Sequence, residues 1–460
     1  MGDITGPVGA PGFGAKGHMR ALMVLGLPLI GSNLAQNLIQ FVDVLMLGWY
    51  DVTALAAVSI ATPYWFTLFL LGAGFAWAVA PLVAAAVEAG DGVAARRITR
   101  MGLWLSVAAG CIFVPAFWWS APVLLWLGQT EEIAGLAQDY LRIAGWGLFP
   151  ALFAITLRSF LSALELAGII LWVSLAAAVL NVGLNWVLIF GNLGFPEMGI
   201  EGAALASVSL HVASGLGLAV YAAKRCAEYD LFTRFWRFDG QIAAQVAKLG
   251  LPMGITTVAE TLLFSASAVM MGWIGEVWLA AHGIALQLAS LTFMVHLGLS
   301  QAVTVRAGRA YGRRDEAGLR LGGLVALALS GAMVALTMAL FLGVPGALMS
   351  VFVDPADPLR DAIIAAGVTL LAIAALFQLV DAAQVMTIGL LRGVQDTTVP
   401  LVIAIVSYWV LGIPASWLLA FPAGMGAPGI WLGMVVGLGA AAVALSVRFW
   451  WGTGRLGTVL

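Results

Sequence analysis

Three acidic side chains stand where acids are rarely found. Of the 23 Asp and Glu residues in this 460-residue chain, Asp43, Glu260 and Asp381 lie inside long apolar runs. A charged group at the centre of a bilayer costs on the order of 3 kcal/mol by insertion scales, so its presence points to work on ions or cationic ligands. Low-dielectric surroundings disfavour the bare charge. Such a carboxylate can therefore take up and release a proton at physiological pH, or hold Na⁺ with other oxygens. The residues leave H⁺ and Na⁺ open. Asn181 and Asn185 share one helical face at i and i+4, and Ser207 adds a hydroxyl. Interhelical hydrogen bonding is the other reading of those three polar groups. No Lys or Arg is expected at comparable depth to pair with the carboxylates, Arg142 nearer the outer face excepted.

The elements that position these groups follow from composition. Hydrophobic residues make up 62% of the chain, charged residues 10%, and the mean hydropathy is +1.01. Soluble domains are about 25% charged and about 45–50% apolar. Backbone in lipid must satisfy its own hydrogen bonds, so apolar runs of this length are helices. Twelve spans are expected: 21–49, 55–80, 101–127, 134–157, 166–190, 203–223, 249–274, 279–304, 322–343, 363–388, 399–421 and 429–449. The chain is thus an all-α membrane protein. With the N-terminus placed in the cytoplasm, all of the 21 basic residues except Arg142 and Arg360 fall on or near that side, Arg158, Arg392 and Arg455 among them. Lys and Arg bias sets orientation, so both termini are expected inside. The first eighteen residues lack the pattern of a removable signal peptide.

Sliding the chain on itself by 224 residues reveals a duplication. Leu25-Gly26-Leu27-Pro28 falls on Leu249-Gly250-Leu251-Pro252, Gly48-Trp49 on Gly272-Trp273, Asp91 on Asp315 and Arg96 on Arg320. Two six-helix bundles related by a pseudo-two-fold axis are expected, as in transporters that bind substrate between parallel repeats. The division is a cytoplasmic tail over 1–20, a first lobe over 21–223, a linker over 224–248, a second lobe over 249–449 and a tail over 450–460. In the repeat register Gln36 stands where the second half has Glu260, so the acidic pair Glu260 and Asp381 belongs to the second half alone. Both lie roughly 10–17 Å from the inner helix ends at 1.5 Å per residue, whereas Asp43 belongs to the outer half.

Several chemistries lack support. Cys111 and Cys226 form no disulfide framework or metal spacing. His211, His282 and His296 are scattered and read as buried, hydrogen-bonded side chains. No phosphate-binding loop, nucleotide motif or nucleophile–base signature occurs, so neither ATP-driven transport, enzymatic work nor nucleic-acid binding is indicated, and no cofactor is expected. A flippase for lipid-linked oligosaccharides would need basic groups in its cavity, and an embedded enzyme would need a metal cluster or dyad.

The residues also carry a resemblance. Gln40-Phe41-Val42-Asp43, Glu260, Gln378-Leu379-Val380-Asp381-Ala382, Leu391-Arg392-Gly393-Val394-Gln395-Asp396 and Asn181-Val182-Gly183-Leu184-Asn185-Trp186 resemble the multidrug and toxic compound extrusion (MATE) family, in its NorM-like bacterial branch. The likeness runs from Arg20 to Arg448. It implies a two-lobe antiporter of the bacterial inner membrane, expected as a monomer, that exports cationic amphipathic compounds in exchange for H⁺ or Na⁺. It implies that Glu260 and Asp381 are the cation pair of the second lobe and that Asp43, Asn181, Asn185 and Ser207 are the cluster of the first. Na⁺ would then sit at Asp43, Asn181 and Asn185, and substrate would meet Asp43, Glu260, Asp381, Gln36 and Phe377. Phe377 departs from the Tyr common in that branch. The missing hydroxyl leaves a poor oxygen shell at the acidic pair, so a proton gradient alone is expected to drive export.

Overall fold

The computed structural model describes residues 14–453; Arg455 and the remainder of both expected tails lie outside the described residues. Twelve helices are long and apolar enough to cross a membrane. They are α1 (Ala15–Tyr50), α2 (Val52–Glu88), α3 (Gly92–Trp118), α4 (Glu131–Ala163), α5 (Ala167–Leu188), α6 (Gly199–Arg225), α7 (Gly240–Ile274), α8 (Glu276–Arg313), α9 (Glu316–Gly343), α10 (Arg360–Gly393), α11 (Thr398–Ala420) and α12 (Ala427–Gly452). Each overlaps its expected span. One end differs: the third span was read to 127, but α3 stops at Trp118 and a separate short helix covers Ala121–Trp126. Pro122 explains the break, because its ring clashes with the carbonyl four residues back and donates no N–H.

The duplication is visible in backbone detail. Asp91 caps α3 through Ala94 N at 2.8 Å, and its register partner Asp315 caps α9 through Gly318 N at 2.8 Å. The residue before each cap turns left-handed, Gly90 at φ +75° and Arg314 at φ +57°. Such caps satisfy the orphan N–H groups of a helix start.

Packing divides the described chain into two compact units. Residues 31–258 form one, and residues 14–30 with 259–453 form the other. The boundaries therefore fall inside α1 and α7 and not in loops. In the first unit the start of α7 presses on α2: a Cβ at Gly74 would meet the Gly250 carbonyl and reach 2.9 Å from Gly254 Cα. In the second unit the start of α1 presses on α8, where a Cβ at Gly298 would lie 2.6 Å from Ile30 N. Gly74 and Gly298 are register partners, as are Gly254 and Ile30. Small residues let membrane helices approach closely where lipid tails offer no hydrophobic gain from association.

The linker is fastened to α3 within the first unit. Arg97 Nε donates to Asp239 Oδ2 at 2.7 Å, Arg100 to the Arg234 carbonyl at 3.2 Å and Trp104 Nε1 to the Phe235 carbonyl at 3.0 Å. Burial works against the Asp239 carboxylate, but the Arg97 guanidinium and the Ile242 N–H outweigh it and hold it below the ordinary carboxylate range. That contribution is present above the unfolded value of about 3.9 and is lost as pH falls through the lower folded value.

Gly74→Leu and Gly298→Leu are each expected to destabilise the protein by about 1–3 kcal/mol through overpacking. Gly183→Leu, where a Cβ meets nothing within 4 Å, serves as the neutral comparison. Thermal unfolding in detergent checks this, and equal midpoints for all three variants would contradict it.

Candidate ion and substrate sites

In the first unit α1 and α5 hold Asp43 between them. Asp43 Oδ1 accepts from Asn181 Nδ2 at 2.8 Å and from Asn185 Nδ2 at 2.6 Å. The i, i+4 spacing on α5 is what lets both carboxamides reach one oxygen. A carboxylate only accepts, so both amide nitrogens must face it. Their oxygens then point elsewhere: Asn181 Oδ1 and Asn185 Oδ1 are buried without a hydrogen-bond partner. Tyr140 of α4 stands beside this group, with its hydroxyl near Ser207, Thr62 and Asp43. Ser207 thus joins the cluster through Tyr140, which the sequence reading missed. A lone tyrosine in the amphipathic start of α4 was its only signal.

In the second unit Gln384 Nε2 of α10 donates to Glu260 Oε1 of α7 at 2.9 Å. Asp381 is buried, and its Oδ1 has no hydrogen-bond partner. Gln378, Asp381 and Gln384 recur every three residues along α10, and all three are at most 3% exposed. Glu260 and Asp381 lie close enough to feel each other's charge. Tyr408 of α11 lies near both, is fully buried, and leaves its hydroxyl unpartnered. It sits in a π-helical stretch, Val406–Gly412. Wide turns of this kind gather at functional sites.

Two expectations change here. The acidic pair was expected to have no cation at its depth, yet the Arg392 guanidinium interacts electrostatically with both Glu260 and Tyr408. Long side chains reach several ångströms along a helix axis, so residue number alone misplaces the charge. The oxygen shell is also richer than Phe377 implied, because Tyr408 brings a hydroxyl from another helix and Gln378 and Gln384 each keep a buried, unpartnered carboxamide oxygen. Phe377 itself is packed edge-on between Phe264 and Trp431, at ring separations of 6.0 and 5.6 Å. Gln36 is exposed on α1 of the first unit. Two of the scattered histidines are hydrogen-bonded in the core: His296 Nδ1 to Ser330 at 3.0 Å and His282 Nδ1 to Trp431 Nε1 at 3.1 Å. His211 stacks on Trp65 with ring centres 5.8 Å apart.

Twelve apolar spans with carboxylates, carboxamides and tyrosines gathered among them define a multi-pass membrane transport protein. The family model MatE matches residues 28–187 and 252–418. A probable multidrug resistance protein NorM of Rhizobium meliloti is 45% identical over 435 residues, covering 94% of this chain and 93% of its own. One of the same name from Agrobacterium fabrum is 44% identical over 434 residues, with coverage of 94% and 93%. Among solved structures, a MATE protein in complex with MaL6 superposes with a TM-score of 0.85 at 22% identity, covering 96% of this chain and 97% of the other. The eukaryotic MATE transporter AtDTX14 does so at 0.86 and 18% identity, covering 96% and 98%. The chain belongs to the MatE, or multidrug and toxic compound extrusion, family, whose members are transporters and not enzymes.

Bond geometry separates two kinds of residue in these clusters. Asn185→Ala removes a donor from Asp43 and is expected to lower stability by about 1–2 kcal/mol. Tyr408→Phe removes a hydroxyl that makes no bond and is expected to leave the unfolding midpoint unchanged or raise it. Thermal melts of the two variants check both; a large loss in Tyr408→Phe would show that its hydroxyl is engaged in the resting protein.

Proposed function

We propose that this chain is a cation-coupled antiporter of the bacterial inner membrane, acting as a monomer with both termini cytoplasmic. It exports cationic, amphipathic compounds by alternating access. The NorM names of its relatives support drugs as the exported class. One observation carries the reading. Asp43, Glu260 and Asp381 each stand within a membrane-crossing helix, among carboxamide or hydroxyl groups that offer further oxygens. A site of that make-up binds a cation, and a cationic substrate competes for the same charge. Binding of the incoming ion then releases the outgoing compound.

The coupling ion is H⁺ or Na⁺. The proton reading rests on Glu260 and Asp381, a buried carboxylate pair within each other's electrostatic reach. The Na⁺ reading is favoured at Asp43, because turning the two carboxamides over brings their buried, unpartnered oxygens to a cation beside the carboxylate. Na⁺ binding draws on several oxygens at once.

Glu260→Gln and Asp381→Asn are expected to abolish ion-driven efflux of a cationic dye from proteoliposomes while leaving expression and folding intact. Normal efflux by either variant would remove it from the coupling machinery. Asp43→Asn is expected to weaken transport or change substrate preference, and unchanged dye affinity with unchanged transport across several pH values would make Asp43 structural. Imposing ΔpH and a Na⁺ gradient separately decides the ion: export under ΔpH alone selects the proton, and export only under the Na⁺ gradient selects Asp43 with Asn181 and Asn185.

A further inference from the structure

The linker between α6 and α7 lies wholly in the first unit and carries groups that the ion chemistry leaves unused. Its fastening to α3 sets its level. Arg97, Arg100 and Trp104 of α3 hold the Asp239 carboxylate, the Arg234 carbonyl and the Phe235 carbonyl, and the Asp239 N–H reaches Met101 Sδ at 3.1 Å. Arg100 is the last charged residue of α3, and from Met101 to Trp118 the helix carries none. The linker is therefore pinned at the level where α3 passes from charge to apolar surface. In a membrane-crossing helix that level is the boundary between headgroups and acyl chains.

The side chains presented there suit such a boundary. Phe235 and Phe238 both meet the Trp104 ring, each at 6.2 Å between ring centres, which seats the segment on α3. Trp236 is nevertheless 75% exposed and Phe238 61% exposed, and Arg234 and Arg237, on either side of Trp236 in the chain, are exposed too. The charges are one-sided as well. Asp230 is answered by Arg96 at 3.8 Å and Asp239 by Arg97. Among the described residues Lys224, Arg225, Arg234 and Arg237 make no ion pair, and of the linker carboxylates only Glu228 shares that state. Tryptophan favours the membrane interface, where one end of the ring is apolar and the other wet. Basic residues held beside a membrane gather anionic lipid.

We propose that the linker segment over 232–238 is a docking surface for anionic phospholipid, with Arg234 and Arg237 on the headgroup phosphate and Trp236 and Phe238 among the adjoining acyl chains. Guanidinium suits this task because it stays charged and presents paired donors to a phosphate. An acidic protein partner would match the charges, but it would not account for two open aromatic rings at the level of the apolar run. Lipid meets both features at once.

A fluorophore on Thr233→Cys, with the exposed Cys111→Ser and the buried Cys226 kept, reports on this surface in the full-length protein. The labelled protein is reconstituted in bilayers containing brominated phosphatidylglycerol or brominated phosphatidylcholine, whose chains quench on contact. Both lipids are expected to quench, the anionic one more strongly. Arg237→Gln, alone and with Arg234→Gln, is expected to lower that preference by up to about fivefold for each arginine removed, with quenching by phosphatidylcholine retained. The preference of the segment with both arginines should also weaken as salt is raised, because headgroup charge is screened; this comparison stands even if the double variant does not fold. Quenching by neither lipid would overturn the proposal and show the segment facing water or protein. Equal quenching by the two lipids, or a preference indifferent to salt and to both arginines, would overturn it as well.

Discussion

A carboxylate placed among apolar helices can only accept hydrogen bonds, and the surroundings of Asp43 follow from that constraint. Two asparagines on one face of α5 must present their nitrogens to it, which fixes the rotation of α5 against α1 and turns two carboxamide oxygens away. About 16 Å along α1, a pair of serines ties the same two helices a second time. Two polar rungs hold the helices in register where apolar packing alone leaves rotation and sliding loosely specified. The second unit solves the same problem differently, with Gln384 and Arg392 serving Glu260 across α7 and α10.

The close helix crossings complement the rungs. At Gly74 and at Gly298 a helix passes so near its neighbour that a methyl group would collide with backbone. That both positions occupy one repeat register shows the duplication preserving a packing solution and not merely hydropathy. It also explains why Gly-Leu-Pro recurs at the start of α1 and α7: those segments form the other side of the crossings. The polar clusters differ between units because they need only the frame in common, and within that frame side chains are free to change.

Much of this was legible in residue order. Apolar length marks helices because backbone in lipid has no alternative, and isolated acids among apolar residues are costly enough to be informative singly. Asn181 and Asn185 were legible because four-residue spacing fixes a shared face. Tyr140, Tyr408 and Arg392 were not. Each reaches its carboxylate from a different helix, and their approach depends on helix rotation, on a π-helical stretch and on side-chain length, none of which leaves a local pattern. The end of α3 was missed because the apolar composition continues across Pro122, and only the proline's geometry stops the helix. The packing units were hidden for a related reason: their boundaries lie within unbroken apolar helices at Ile30 and Val258.

The proposed competition of substrate and coupling cation for the same carboxylates is observable without any gradient. Purified protein in a weakly buffered, Na⁺-free detergent solution can be titrated with a cationic dye while the pH is followed, and the titration repeated after loading with radioactive sodium. Dye binding is expected to release a cation, as protons in the first case or as sodium in the second. The release should disappear when Asp43, Glu260 and Asp381 are replaced by their amides. Saturable dye binding that displaces neither ion would contradict coupling through these carboxylates.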